Sequence, residues 1–491
     1  MTKKQDHYLL LGIARNATAE EIRRAYFDAA RRLHPDKNIA AGETELFLGV
    51  QEAYDVLSTP KKRARYDATL PPEEPPRYSL KSDILFSRQN LQRLDEPQLI
   101  YALLDLSIPD GLEKPLAPVL NLCLVLDCST SMQGNNMDVV KATAIQIVRN
   151  LKQQDIFSVV AFNDRAETII PPSRSVEMKK LEARIYKLQP SGGTEIFSGL
   201  EAGYQQIIQN MNHAQVNHII LITDGRTYGD EEKCIRLAQS ASENGIGISG
   251  LGIGVEWNDN LLDELTSRTG GSSIYVSRPQ DIQHALLDKF AHLGKAYAEV
   301  TCLEFTVPEG IELRYVFRLQ PEPGPLSIGS PIMVGPIVLG TDLKVLIEFL
   351  IQPEAVQDKT VTLLEGKIKA TLTGVSSEVA VPICLTRPVV SNAIAEYLPA
   401  EIVDALSRLR LYRLQEQARL AATAGNYDQA AEHLTRLATH LLAQGERGLA
   451  RTVLLEAENL QKKKVLSKQG GKEIKYGTRA LVMYKQSEKK L

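Results

Sequence analysis

The stretch DCSTS places Asp127, Ser129 and Ser131 at alternate positions, directly after the apolar run VLNLCLVL at 119–126. Thr194 follows a Gly-Gly turn in PSGGTEIFSGL, and Asp224 follows a second apolar run, NHIILIT at 217–223. These residues offer two carboxylates and three hydroxyls, all hard oxygens, with no imidazole or thiolate among them. Such donors suit Mg2+ or Mn2+, which take about six oxygens and keep some of their waters. So few carboxylates leave a divalent ion electrophilic, able to accept one more carboxylate from outside. Each residue alone has a plainer reading: Asp127 and Ser129 could cap a helix, and Asp224-Gly225 could be a turn. A different constellation lies near the start. There RRLHPDKN at 31–38 sets His34, Pro35 and Asp36 at the end of an Arg-rich run.

Several kinds of element must position these groups. TAEEIRRAYFDAARRLH at 18–34 predicts an amphipathic helix with Ile22, Ala25, Tyr26, Ala29 and Leu33 on its apolar face. Arg23, Arg24, Arg31 and Arg32 fall largely on the other side, and Pro35 forbids continuation. A second helix is expected at about 43–58, with Leu46, Phe47, Val50, Tyr54 and Leu57 inward, and then the short basic segment KKRARYD at 61–67. LPPEEPPRYS at 70–79 cannot pack and reads as a stiff linker, assigned to 69–96. Over 117–293 strands alternate with helices: strands at 119–126, 156–162, 217–223, 246–254 and 273–276, helices near 137–151, 176–187, 196–210, 231–244, 259–268 and 280–293. Near-continuous apolar strands separated by helices predict a doubly wound α/β domain, with ligands at the carboxyl ends of its strands. Over 294–388 strand runs are broken by Pro, Gly and Asp without a helix, which predicts an antiparallel β-sandwich. The strand at 97–109, in the segment 97–116, has no place in the α/β sheet and is expected to join that sandwich, making the α/β domain an insertion. Residues 389–465 return to helical periodicity, as a plain three- or four-helix bundle or a repeat whose turn GNYDQA is tetratricopeptide-like. The Lys-rich, Gly-broken segment 466–491 reads as a solvated, mobile tail.

Two of these regions resemble known families. Residues 5–68 carry HYLLLGI, AEEIRRAY, His34-Pro35-Asp36, VQEAYDVLS and KKRARYD in an order and spacing that resemble a J-domain, the all-α module by which DnaJ-type co-chaperones engage Hsp70. The resemblance covers the all-α unit assigned to 1–68. It implies that His34, Pro35 and Asp36 trigger the ATPase of a DnaK-type Hsp70 partner, with Arg23, Arg24, Arg31 and Arg32 as electrostatic docking residues. Phe27 and Asp28 stand where that family usually carries further Lys or Arg. Residues 117–293 resemble a von Willebrand factor A domain with its metal-ion-dependent adhesion site, an Asp-x-Ser-x-Ser followed by a distant Thr and a distant Asp. The resemblance implies that Asp127, Ser129, Ser131, Thr194 and Asp224 hold Mg2+ or Mn2+, completed by an acidic residue of a partner protein. Thr130 replaces the usual Gly between the serines and is expected to stiffen the loop.

Composition narrows the function classes. With 491 residues the chain is too long for one core, so it is read as multidomain. A net charge of -3 argues against a general nucleic-acid binder. The five cysteines are scattered singly, and no apolar stretch approaches the 18 residues of a membrane span. The short N-terminal apolar run is interrupted by Asp6 and His7, so a cytoplasmic location without membrane contact is expected. No P-loop, GxSxG or HExxH pattern occurs, and a binding device rather than an enzyme is expected. Two readings follow. One is an Hsp70 co-chaperone adaptor that captures a protein through the metal site. The other is a metal-dependent assembly scaffold working with an AAA+ ATPase, the J-domain being accessory.

Overall fold

Helix α1 (His7–Leu11) opens the chain, followed by α2 (Ala19–Leu33), α3 (Glu43–Leu57) and α4 (Pro60–Asp67). The computed structural model describes residues 7–11, 13, 17–33, 43–67, 79–109, 118–174, 178–227, 229–374, 378–391 and 397–482. They fall into two units, Met1–Arg77 and Tyr78–Leu491. In the first, Tyr8, Leu11, Ile22, Ala29, Val50, Ala53 and Leu57 form the core, and Tyr26 stacks on Tyr54 with ring centroids 4.1 Å apart. The basic segment at 61–67, expected only as a short run, is helical. Pro60 starts α4, where a missing N–H costs nothing. The Tyr8 hydroxyl accepts from Arg63 Nε at 2.9 Å and donates to Asp67 Oδ1 at 2.7 Å, which ties α4 to α1.

The second unit begins with β1 (Lys81–Phe86), β2 (Leu91–Gln92) and β3 (Gln98–Ser107). These strands correct the linker expected over 69–96. The Pro-rich run stops at Pro76, and Leu80, Phe86 and Leu91 beyond it are buried in the sandwich core. β1 pairs antiparallel with β3, Asp83 opposite Asp105 and Phe86 opposite Ala102.

The α/β domain follows as β4 (Leu120–Asp127), α5 (Asn135–Arg149), β5 (Ile156–Phe162), β6 (Ala166–Ser173), α6 (Met178–Tyr186), α7 (Ile196–Ile208), β7 (Val216–Thr223), α8 (Glu231–Glu243), β8 (Gly247–Ile253), α9 (Asp259–Thr269), β9 (Ser273–Val276) and α10 (Pro279–Leu293). The strand order is β6-β5-β4-β7-β8-β9. All neighbours are parallel except β5 and β6. Along β4, Leu122, Leu124 and Leu126 pack with α5, α6 and α10, whereas Cys123 and Val125 pack with α7, α8 and α9. A strand buried on both faces is why the run reads as continuously apolar. Strand β6 is a departure from expectation. Pro171 and Pro172 argue against a strand, but an edge position tolerates them because no neighbour needs their missing donors.

The sandwich is completed by β10 (Ala296–Thr306), β11 (Ile311–Gln320), β12 (Gly324–Pro325), β13 (Ile332–Met333), β14 (Ile337–Val338), β15 (Leu343–Ile351), β16 (Thr360–Leu372) and β17 (Glu378–Val390). One sheet has the order β1-β3-β15-β11-β12, the other β13-β10-β16-β17-β2 with β14 on β10. Leu104, Val345 and Ile347 of the first sheet meet Leu303, Ile368 and Leu372 of the second. The α/β domain is thus inserted between β3 and β10. Helices α11 (Ala400–Thr423), α12 (Tyr427–Ala443), α13 (Arg447–Lys463) and α14 (Lys468–Val482) end the described chain. Ile402, Leu409 and Tyr412 of α11 cover Phe317 and Leu346 on the outer side of the five-stranded sheet. α14 packs on both α11 and α13, closing a bundle rather than extending an open repeat. Over Lys468–Val482 it also corrects the mobile tail expected over 466–491, of which residues 483–491 lie outside the described residues. Lys472, Lys475 and Arg479 are buried, because carboxylates of α9 neutralise two of them.

Candidate metal centre

β4 and β7 are neighbours at the centre of the sheet, and their chains leave in opposite directions, β4 toward β5 and β7 toward β8. The crevice at such a reversal is where doubly wound sheets bind ligands. Asp127 ends β4 and Asp224 directly follows β7. Asp127 Oδ1 accepts from Ser129 N at 2.8 Å, and its Oδ2 accepts from the Thr223 hydroxyl at 2.6 Å. Ser129 Oγ lies 3.0 Å from Ser131 Oγ, which donates to Asp224 Oδ1 at 2.6 Å. Thr194 reaches the same place from a third loop. A Cβ on Gly225 would stand 2.6 Å from Thr194 Oγ1, so only glycine lets that hydroxyl lie against the Asp224 loop. The structure therefore brings together all five residues that the spacing singled out.

The loops are pinned by hydrogen bonds that the sequence did not announce. Cys128 N donates to Phe162 O and Ser191 N to Cys128 O, both at 2.7 Å. The Thr130 hydroxyl donates to Gly192 O at 3.0 Å and its backbone N–H to the same oxygen at 3.1 Å. The residue in place of glycine thus ties the Ser129–Ser131 loop to the Thr194 loop. Thr223 was not singled out, although it orients Asp127. Its position next to Asp224 was the available signal.

Electrostatics favour a cation here. Burial pushes the Asp127 carboxyl up, against the hydrogen bonds from Thr223 and Ser129. Burial raises Asp224 to about 6, with the Asp127 charge adding to it. Among the described residues neither carboxylate has an ion-pair partner, so two adjacent acids stand without a protein cation. A hard divalent ion would compensate them, and the hydroxyls would supply neutral ligands. Among the described residues no group of three or more His, Cys, Asp or Glu could hold a metal, so this mixed set is the candidate. Cys128 is not a competing ligand, because burial and the Asp127 charge push its thiol up to about 12. Beside the loops lies a groove of about 770 Å3, walled by Cys128, Asn163 and Ser191 and rimmed by Arg165, Arg184 and Lys187.

The first unit contributes less. His34, Pro35 and Asp36 lie outside the described residues, as do the side chains of Arg31 and Arg32. Arg23 and Arg24 are exposed on α2. Arg23 sits over the ring of Phe27, 5.8 Å from its centroid, and Phe27 is 55% exposed. An exposed aromatic ring thus stands beside Arg23 on α2.

One further constellation escaped the sequence. His218 Nε2 lies 2.9 Å from Ser249 Oγ and His218 Nδ1 lies 2.7 Å from Glu299 Oε1. Three strands supply these residues, so no local spacing reveals them. Although the order is that of a nucleophilic triad, Ser249 and His218 are each 2% exposed. A hydroxyl buried so deeply cannot meet a substrate.

Comparison with known proteins follows these boundaries. Residues 6–67 match the DnaJ domain, residues 121–288 the von Willebrand factor type A domain, and residues 400–484 the Sll0103-like, C-terminal alpha-helical domain. The uncharacterized protein sll0103 of Synechocystis sp. is 30% identical over 226 residues, 45% of this chain and 53% of that protein. Chaperone protein DnaJ of Brevibacillus choshinensis is 55% identical over 64 residues, 13% of this chain and 17% of that protein. The chain thus spans about half the length of the first relative and a smaller part of the second. A solved von Willebrand factor type A protein from Catenulispora acidiphila superposes with a TM-score of 0.65 at 16% identity, covering 82% of this chain and 96% of that one. At that identity the likeness is one of fold, and it extends well beyond the α/β domain.

Proposed function

On a chain that joins a DnaJ domain to a von Willebrand factor type A domain, we propose an Hsp70 co-chaperone adaptor. The A domain holds a divalent metal, Mg2+ or Mn2+, through Asp127, Ser129, Ser131, Thr194 and Asp224. An acidic residue of a partner protein completes the ion. The J-domain, through His34, Pro35 and Asp36, recruits an Hsp70 to that partner and stimulates its ATPase. Arg23, Arg24, Arg31 and Arg32 steer the encounter.

The convergence of the Asp127 and Asp224 carboxylates with three hydroxyls, without a protein cation among the described residues, is the observation that carries this reading. The basic rim of the adjoining groove supports an acidic partner. The logic is one of effective concentration: a tether turns a weak Hsp70 encounter into a local one. The proposed reading is of a binding device, as both modules are interaction modules. No helix among the described residues is long and apolar enough to cross a membrane.

The test is steady-state ATP hydrolysis by an Hsp70 with the intact protein, with His34→Gln and with Asp127→Ala. Stimulation lost in His34→Gln but kept in Asp127→Ala is expected, with partner capture showing the opposite pattern. The alternative scaffold, assembled with an AAA+ ATPase, predicts that Asp127→Ala dominates the loss of function and His34→Gln is mild.

A further inference from the structure

The groove beside the candidate metal centre is continuous with it along the chain. Cys128 of its wall stands between Asp127 and Ser129. Ser191, also in the wall, lies on the loop that carries Thr194 and donates its N–H to Cys128 O at 2.7 Å. What changes from one to the other is the sign of the charge. The metal centre gathers two carboxylates, whereas the groove gathers Arg165, Arg184 and Lys187 around about 770 Å3, against the carboxylate of Glu167.

The three cations are uncommitted. Arg165, Arg184 and Lys187 are exposed, and among the described residues none has an ion-pair partner. Glu182 of α6 pairs with Arg149 instead. The Arg184 guanidinium donates to Ile169 O at 3.3 Å, a neutral acceptor that leaves its charge in place. A fourth charge lies behind the wall. Lys141 of α5 is 7% exposed, and its ammonium donates to Leu188 O at 2.5 Å and Tyr186 O at 3.4 Å, with no carboxylate paired to it among the described residues. Carbonyls solvate a buried ammonium but do not cancel its charge. That charge is felt in the groove, where it draws the Cys128 thiol down against the push of burial.

Two of these cations have a local account. Arg184 lies in the last turn of α6 and Lys187 just beyond it, where positive charge suits the negative end of a helix. Arg165 comes from the turn between β5 and β6, and Lys141 from α5, so no local rule gathers all four about one groove. The same helix end selects the anion. Phosphates settle at helix N-termini, where backbone N–H groups converge. Here α6 turns its C-terminal end to the groove, and the cations stand on separate elements. That arrangement fits several spaced carboxylates better than one phosphate.

We propose that the groove seats an acidic segment of the partner protein, its aspartates and glutamates lying on Arg165, Arg184 and Lys187 while one of them, at the Cys128 end, completes the metal. The inference rests on the metal-site reading for that last carboxylate alone, and the charge of the groove stands without it. Partner choice then depends on the acids that flank the coordinating one, since a single carboxylate is common to every protein surface.

Fluorescence anisotropy of labelled hexa-aspartate with the full chain, at low salt with Mg2+ and with chelator at matched ionic strength, tests the groove. Hexa-asparagine is the uncharged control. Hexa-aspartate is expected to bind in both conditions, more tightly with Mg2+, and to exceed the control in each. Arg165→Glu combined with Lys187→Glu changes two exposed side chains and should weaken binding at least about tenfold. Arg23→Glu combined with Arg24→Glu, in the first unit, should leave it unchanged. Glu167→Gln removes the opposing charge of the groove and should tighten binding about threefold, a gain that a misfolded protein cannot show. Mg2+ titration followed by thermal denaturation should be alike in the wild type and the groove variants. Binding under chelator that is lost in the Arg165 and Lys187 variant upholds the groove even where Mg2+ fails to bind and the metal-site reading falls. Unchanged affinity in that variant overturns the groove and leaves the metal-site reading standing. Binding no better than the control overturns it too, as does an equal loss in the Arg23 and Arg24 variant, which would mark unspecific attraction.

Discussion

Replacing Asp263 with asparagine should detach α14 from the α/β domain. Asp263 accepts two parallel hydrogen bonds from Arg479, Nη1 to Oδ1 at 3.0 Å and Nη2 to Oδ2 at 2.8 Å. Lys475 Nζ lies 2.6 Å from the same carboxylate, and the Lys475 and Arg479 side chains are 3% and 6% exposed. Burial pushes the Asp263 carboxyl up, but the Arg479 and Lys475 charges outweigh it and hold the group well below the usual carboxylate range. The amide keeps the shape and removes the charge. Arg479 would then be buried with neutral acceptors only, the hydroxyls of Tyr412 at 3.0 Å and Ser273 at 2.7 Å. Lys475 retains Asp259 at 2.6 Å, so the cost falls at the lower end of the 3–5 kcal/mol typical of a broken buried pair, about 3 kcal/mol. That corresponds to about two orders of magnitude in the opening equilibrium. Amide hydrogen exchange across Lys468–Val482 should accelerate by this factor, while β4 and β7 keep their protection. Acid should act through the same group. Because its folded pKa is depressed, its stabilisation is complete above the unfolded value near 4 and is lost as the pH falls below it, at about 1.4 kcal/mol per pH unit. Asp263→Asn should flatten that part of the pH profile. Exchange in α14 that changes less than about threefold would refute the reasoning, since an uncompensated buried guanidinium cannot be that cheap.

Other outcomes are expected at the two sites proposed for binding. Saturating Mg2+, at a hundredfold over its dissociation constant, should stabilise the wild type by about 2.7 kcal/mol and leave Asp127→Ala unmoved, as read by thermal denaturation with and without chelator. Gly225→Ala would drive a methyl to 2.6 Å from Thr194 Oγ1 and should weaken Mg2+ binding about tenfold with the far-UV circular dichroism unchanged. Charge reversal of the exposed Arg23 and Arg24 together should slow association with Hsp70 at low salt. The difference should close as ionic strength rises, because steering between surface charges is screened.

The sequence disclosed elements whose cause is local. Leu122 to Leu126 read as a strand because both faces of β4 are covered, and Asp127 stands at its end because such sheets place their loops there. Ile22, Ala25, Tyr26 and Ala29 disclosed α2 because a one-sided helix must repeat its apolar residues. What stayed hidden depends on neighbours far along the chain. β6 survives its two prolines only because it is the sheet's edge, and β1 is a strand because β3 offers it a partner. His218, Ser249 and Glu299 come from three strands, one of them bulged, and no spacing in the chain foretells their meeting.

The Lys-rich end of the chain shows how such a reading fails. Lys468, Lys472, Lys475 and Arg479 recur at intervals of four, three and four residues, the spacing of one helix face. Lysine at that density usually marks a solvated surface, since a lone buried ammonium is too costly. Glu256, Asp259 and Asp263 recur at intervals of three and four, so a second charged stripe of opposite sign runs beside the first. Lys468 pairs with Glu256, Lys475 with Asp259 and Asp263, and Arg479 with Asp263. Lys472, which makes no close ion pair among the described residues although the Asp259 charge acts on it, donates to Trp257 O at 2.6 Å and lies 3.6 Å from the centroid of that ring. Neither stripe alone distinguishes a solvated face from a buried one. Read as a pair, with matched spacing and opposite charge, they specify a register between α14 and the start of α9. Glu256 O also accepts from Arg226 Nε at 2.9 Å, two residues past Asp224. The start of α9 that α14 grips is therefore tied in turn to the loop that adjoins the candidate metal centre.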